Sequence, residues 1–121
     1  MKERRSGSII NISSVAGIKN YPHHEVYCAT KFGVSSLTEG LREEIASYGI
    51  RCISICPGVV ETEILKNQSS EELKKIYEDN KKTMGKLITS EEMAEIILFS
   101  YQQPSHICIR EIVVCPTGQI R

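Results

Sequence analysis

The sequence predicts an α/β fold, a parallel sheet of about three strands with flanking helices. Three observations predict it. Strand-like and helix-like runs alternate along the chain, the order that crossover connections between parallel strands produce. The first strand-like run is short and apolar on both faces, as a buried parallel strand is. The longest amphipathic run repeats its apolar residues every three to four positions, the period of a helix.

Each element has its own signature. Residues 7–13, GSIINIS, are isoleucine-rich and form the first strand. The loop that follows is marked by Gly17, Asn20 and Pro22. A helix is predicted over 26–48. Val34, Leu37, Leu41, Ile45 and Tyr48 recur there at gaps of 3, 4, 4 and 3, one apolar stripe of the kind that faces a core. Glu39, Arg42, Glu43 and Glu44 fall mainly off that stripe, and Gly49 stands where a helix ends. Residues 50–56, IRCISIC, form the second strand. Ile50, Cys52, Ser54 and Cys56 share one face, Arg51, Ile53 and Ile55 the other. Pro57-Gly58 breaks it. The polar stretch 59–86 holds a helix, SSEELKKIYEDNKK, with Ser69 and Glu72 spaced as a capping box. A further helix, TSEEMAEIILFSYQQ, places Thr89 and Glu92 in the same relation and stops at Pro104. Residues 107–114, ICIREIVV, complete the sheet, and CPTGQIR is a tail. The connections are expected to be right-handed.

The totals bound the function. A chain of 121 residues is one domain. Its 15 Lys+Arg balance 15 Asp+Glu, so no general attraction to nucleic acid or an anionic membrane is indicated. No apolar run approaches the ~20 residues of a membrane helix. The start, MKERRSGSIIN, lacks the apolar stretch of a signal peptide, and the cytoplasm is the default compartment. Cys28, Cys52, Cys56, Cys108 and Cys115 form no CxxC, and His23, His24 and His106 do not stand at zinc-ligand spacing from them. Small buried thiols and no metal site are expected. His23 and His24, in a polar loop, are expected to be solvated.

Tyr27 and Lys31 stand at i and i+4 and share a helix face. An ammonium group near a phenol favours the phenolate, which makes the tyrosine a usable proton donor and acceptor near neutral pH. Ser14 closes the first strand, and the carboxyl ends of parallel strands line the ligand crevice of such sheets. Alone, YxxxK is more often a half-buried tyrosine beside a solvated lysine. In combination with the preceding NISS, the following strand and PG, it is far less ordinary.

These stretches, INISSVAG, YCATKFGVSSLTEGLREE and IRCISICPGVVETE, closely resemble the C-terminal half of the short-chain dehydrogenase/reductase family. The likeness is strong over about residues 4–65. The end, EIVVCPTGQ, resembles the closing strand of the NADP-dependent branch acting on small 3-hydroxy acids and serine. The resemblance implies an incomplete Rossmann-like, doubly wound sheet, with 1–121 as the C-terminal half of the domain and about 59–88 as a variable substrate lid. It implies an oxidoreductase that transfers hydride between NADP or NAD, with NADP slightly favoured, and a small alcohol or carbonyl compound. Tyr27 would be the general acid/base, Lys31 would tune it and hold the nicotinamide ribose, and Ser14 would orient the substrate oxygen. Asn11 would lie nearby in a structural role. Pro57 and Gly58 would turn the chain beside the nicotinamide, and Thr62 would bind the cofactor. Homo-oligomers would form through helix 26–48 and through the exposed strand 7–13. Plainer roles stand beside these: Ser13 or Ser14 capping a turn, Thr62 capping a short helix in ETEIL, and Pro57-Gly58 as a simple turn.

The family's glycine-rich phosphate loop has no counterpart in these 121 residues, nor does its NNAG segment. MKERRSG resembles the end of the helix before the GSIINIS strand, so Met1 is expected to be an internal methionine. A truncated reading frame, an expressed piece and one half of a split protein all fit. Weak NAD(P) binding by the chain alone is expected. The alternatives are a non-catalytic remnant or interaction module and, less favoured, an enoyl or acyl-carrier reductase of the same fold.

Overall fold

A computed structural model describes residues 1–62 and 71–120. The sheet has three parallel strands in the order β1 (Gly7–Ile12), β2 (Ile50–Pro57), β3 (Glu111–Val114). Gly7 lies opposite Ile50 and Ile12 opposite Ile55; Ser54 lies opposite Glu111 and Pro57 opposite Val114. Helix α1 (Glu25–Ile45) connects β1 to β2, and α2 (Glu71–Met84) and α3 (Ser90–Gln102) lie between β2 and β3. The Ser69–Glu72 capping box and the ETEIL helix lie outside the described residues and side chains.

Strand β2 is the centre of the fold because both of its faces are apolar. On one face Ile50 and Cys52 pack with Ile45 of α1, flanked by Ile9, Leu41 and Tyr48. On the other, Ile53 and Ile55 pack with Met93 of α3, flanked by Ile10, Ile88, Ile97 and Ile112. The alternation read along 50–56 therefore places the two helices on opposite faces. Both connections step the same way across the sheet, so they have opposite hand, and the expectation of uniformly right-handed crossovers fails for one. The β2–β3 connection spans 58–110 and holds two helices among the described residues. The twist argument for compact βαβ units binds such a connection less tightly.

Local chemistry sets the helix ends. Helix α1 passes into a single 3₁₀ turn (Ala46–Tyr48) and stops at Gly49, whose φ of 67° is left-handed and suits glycine. Thr89 and Glu92 form the expected capping box at the start of α3, with Thr89 Oγ1 accepting from the Glu92 amide at 3.1 Å and Glu92 Oε2 from the Thr89 amide at 2.9 Å. The segment after β2 returns to the sheet near its end, where Val60 bridges Ile88 and the Glu61 amide donates to the Ile88 carbonyl at 2.8 Å.

Three further expectations are corrected. Leu37 does not face the sheet; it is 63% exposed. The core side keeps Leu41, Ile45 and Tyr48 of that stripe and adds Cys28, Ser35 and Thr38, because Asn11 and Ser13 offer hydrogen bonds there. The third strand is half its expected length. Arg51 explains this: its guanidinium donates to the carbonyls of Tyr101 (2.8 Å), Gln103 (2.8 Å) and Ile107 (3.3 Å) and to Ser8 Oγ (3.0 Å). It thereby closes the end of α3 and takes the Ile107 carbonyl, where the expected strand would begin. Cys28, Cys52 and Cys56 are buried as expected, but Cys108 and Cys115 are exposed, and all five are free thiols. His23 and His24 are exposed.

Candidate active site

The carboxyl ends of β1 and β2 and the first turns of α1 meet at one end of the sheet. After Ile12 the ladder continues for one bond, from the Ser13 amide to the Ile55 carbonyl at 2.7 Å. The chain then makes a 3₁₀ turn (Val15–Gly17) capped by Ser14, whose Oγ accepts from the Ala16 amide at 3.1 Å. The plainer reading of Ser14, a turn cap, is thus realised. Its hydroxyl also donates to the Pro57 carbonyl at 3.4 Å, which joins the ends of the two strands.

Ser13 and Gly17 lock this turn to α1. Ser13 Oγ donates to the Lys31 carbonyl at 3.0 Å and lies 2.8 Å from Ser35 Oγ. Gly17 approaches so closely that a Cβ built there would lie 2.5 Å from Ser13 Oγ, 2.7 Å from the Lys31 carbonyl and 2.8 Å from Ser35 Oγ. Asn11 contributes a parallel tie, donating to Thr38 Oγ1 at 3.0 Å while Thr38 donates to the Val34 carbonyl at 2.7 Å. Sequence reasoning singled out neither Ser35 nor the close approach of Gly17. Glycine after a serine-rich strand end was the available signal.

Tyr27 is 48% exposed, in the second residue pair of α1, next to buried Cys28. Lys31 lies one turn on. Its ammonium donates to the Ile12 carbonyl at 3.0 Å and stands 5.8 Å from the centroid of the Tyr27 ring. The two side chains share one side of the helix, and the phenol opens to solvent rather than into the core. Glu25, at the helix start, is held below the usual carboxylate range by backbone amide hydrogen bonds, its own first and that of His23 next.

Pro57 ends β2, and the Gly58 amide donates to the Val114 carbonyl at 2.7 Å, so the turn is fastened to β3. The Val59 amide donates to Gln119 Oε1 at 2.9 Å. Thr62 follows, half-buried; among the described residues no bond ties it to Ser14, Tyr27 or Lys31. The structure therefore bonds Ser14 to Pro57 and Lys31 to Ile12, with the Tyr27 ring 5.8 Å from the Lys31 ammonium; among the described residues no hydrogen bond joins the Ser14–Pro57 pair to Tyr27 or Lys31. Burial pushes the Cys56 thiol upward, and partial desolvation does the same at the more exposed Cys115. Among the described residues no group of three or more His, Cys, Asp or Glu side chains is placed to hold a metal ion. No helix among them is long and apolar enough to cross a membrane.

Known proteins are similar to this chain in sequence and fold. Residues 1–73 match the family described as short chain dehydrogenase. An uncharacterized oxidoreductase of Staphylococcus aureus (strain MW2) is 34% identical over 116 residues, which cover 96% of this chain and 45% of the relative. Among solved structures, the closed form of a serine dehydrogenase complexed with NADP+ is 28% identical with a TM-score of 0.86, covering 100% of this chain and 48% of that one. A levodione reductase is 27% identical with a TM-score of 0.81, covering 96% of this chain and 48% of that one. The chain spans about half the length of the relatives it matches. With a family match over more than half its residues and a Rossmann-like sheet of the same build, the chain belongs to the short-chain dehydrogenase family.

Proposed function

We propose that this chain forms the proton-transfer side of an NAD(P)-dependent oxidoreductase of the short-chain dehydrogenase type, acting on a small alcohol or carbonyl compound. The observation that carries the reading is the Lys31 ammonium, anchored on the Ile12 carbonyl at 3.0 Å and set 5.8 Å from the half-exposed Tyr27 ring. A bound nicotinamide supplies or accepts the hydride. This chain's residues fit its ribose side: an ammonium has three donors, so Lys31 still has donors for ribose hydroxyls after serving Ile12. Tyr27 gives its phenolic proton to the substrate oxygen in reduction and takes one back in oxidation. The Lys31 charge stabilises the negative charge left on the tyrosine oxygen as the proton leaves. Ser14 orients the substrate oxygen; its 3.4 Å bond to Pro57 is long and weak enough to be exchanged.

Pro57, Gly58 and Thr62 take the cofactor side, and 59–88 the substrate side. The 121 residues act as the C-terminal half of a Rossmann-like domain whose phosphate loop is supplied by another segment. Likeness to the NADP+-bound serine dehydrogenase favours NADP and a small hydroxy-acid or amino-alcohol substrate. Five free thiols favour the cytoplasm.

Self-association belongs to the same reading. Val26, Thr30, Gly33 and Leu37 recur at gaps of 4, 3 and 4 and share a face of α1. Val26 is 81% exposed, and Leu37 lines a groove with Asn11 and Ile12 at the open edge of β1. Unpaired strand edges and apolar helix faces recruit partners. Sedimentation at rising concentration tests this, and a monomer throughout would contradict it.

The cofactor assignments are tested in a chimera in which this chain replaces the matching stretch of the S. aureus relative. NADPH titration by fluorescence is expected to show binding weakened about tenfold by Lys31→Ala, the loss of one charge-assisted hydrogen bond, and weakened also by Thr62→Ala. Binding unaffected by either change would remove both assignments.

A further inference from the structure

The hydroxyl of Tyr77 is buried and has no hydrogen-bond partner; among the described residues it is the one buried side-chain oxygen or nitrogen so placed. Buried polar groups are paired in all but a few cases, and each exception calls for a cause. Tyr77 belongs to the inward face of α2. Tyr77, Lys81 and Met84, at gaps of 4 and 3, are half-buried, whereas Glu78, Asp79, Asn80, Lys82 and Thr83 between them are exposed.

The rest of that face shows where the phenol stands. Lys81 donates to Glu61 Oε1 at 3.1 Å, and the Glu61 amide donates to the Ile88 carbonyl at 2.8 Å. The Met84 carbonyl lies against Gly118, where an added Cβ would come within 2.5 Å of it. Gly118 precedes Gln119, whose side-chain oxygen accepts the Val59 amide at 2.9 Å. Both ties fasten α2 to the chain that leaves β2 at Pro57, and the Pro57 carbonyl is the one that Ser14 Oγ meets. The inward face of α2 therefore belongs to the carboxyl end of the sheet, the end that carries Ser14. Tyr77 stands on it one turn, about 6 Å, from Lys81.

We propose that the Tyr77 hydroxyl is a substrate-binding group: it donates to a substrate oxygen remote from the carbon that is oxidised or reduced, and selects hydroxy acids over plain alcohols. This rests on the proposed function above and names the substrate feature that the 59–88 stretch reads. A phenol has one proton to donate, and a carboxylate offers only acceptors. Lys81 has donors left after serving Glu61, and its charge one turn along suits an anionic group better than an ammonium group. An analogue without the acceptor leaves the hydroxyl unpaired and is disfavoured for that reason.

The premise is tested on the 121-residue chain. Tyr77→Phe removes a hydroxyl that bonds nothing within the chain, so its urea unfolding midpoint is expected to equal or exceed that of the parent. A clear fall in the midpoint would show that the hydroxyl is already bonded and would overturn the proposal. The role is tested in the chimera with NADP+ and two alcohols: 3-hydroxybutyrate, and 2-butanol, which has a methyl group in place of the carboxylate. Tyr77→Phe is expected to raise KM for 3-hydroxybutyrate about tenfold with little change in kcat, the loss of one charge-assisted hydrogen bond. The preference for 3-hydroxybutyrate over 2-butanol in kcat/KM should fall by the same factor. An unchanged KM, or an equal loss for both alcohols, would overturn the role. A parent chimera that binds NADPH but does not oxidise 3-hydroxybutyrate would also overturn it. An inactive parent that binds no NADPH would refute the activity proposed above, and with it this role, while the unfolding midpoint would still report whether the hydroxyl is bonded.

Discussion

Gly17→Ala puts the largest local load on the site. The added methyl would meet three atoms at once: Ser13 Oγ at 2.5 Å, the Lys31 carbonyl at 2.7 Å and Ser35 Oγ at 2.8 Å. None of these can move freely. Ser13 Oγ is bonded to both of the others, and the Lys31 carbonyl belongs to the backbone of α1. Overpacking of this kind costs about 1–3 kcal/mol, and the hydroxyl it displaces forfeits about 1 kcal/mol of hydrogen bonding. The expected loss is therefore about 2–4 kcal/mol, a fall in Tm of roughly 8–16 °C for a chain of this size. Urea unfolding followed by circular dichroism measures it. Adding Ser35→Ala should recover part of the loss, since it removes one of the three obstructing atoms. A variant whose unfolding midpoint matches the parent would show that the serine-rich turn is not fastened to α1 as described, and the placement of Ser14 relative to Lys31 would fail with it.

Other consequences follow from the same geometry. Arg51→Ala removes a guanidinium that serves three carbonyls at the end of α3, and is expected to destabilise the chain by about 2–3 kcal/mol; Arg51→Lys should recover little, because an ammonium cannot reproduce the fork, and equal stability of all three proteins would refute the role. Glu39 is hydrogen-bonded by Arg42, with Arg110 adding its charge, and its carboxyl falls from the usual 4.5 to about 2. A carboxylate depressed on folding stabilises the fold above its unfolded value and loses that contribution as pH falls through the folded one. The stability difference between the parent and Glu39→Gln should therefore be full near neutrality and shrink between about pH 4.5 and about 2, and shrink also in high salt because both partners are partly exposed. A difference independent of pH over that window would contradict the assignment.

Much of this arrangement was legible in the residues because local and long-range preferences agree there. The two faces read along 50–56 are both used, and the structure places a helix on each. The Thr89–Glu92 capping box is a local device and appears where its spacing puts it. Tyr27 and Lys31 share a side of α1 because i and i+4 positions on any helix do. What sequence could not give is set by partners remote in the chain. Leu37 completes a periodic stripe, yet Asn11 and Ser13 draw polar Thr38 and Ser35 onto the sheet and turn Leu37 outward. The third strand is shorter than 107–114 predicts, and Arg51, 56 residues away, takes the Ile107 carbonyl where that strand would begin. Gln119 carries no local signal at all; only the folded chain brings it to Val59.

The central claim is that the Tyr27 phenol carries the proton. Single-turnover reduction by NADPH in the chimera, comparing the parent with Tyr27→Phe, tests it most directly. Loss of a positioned general acid should slow the chemical step by about 10²–10⁴-fold, while the unfolding midpoint and NADPH affinity stay close to those of the parent. Turnover within a few-fold of the parent would contradict the claim.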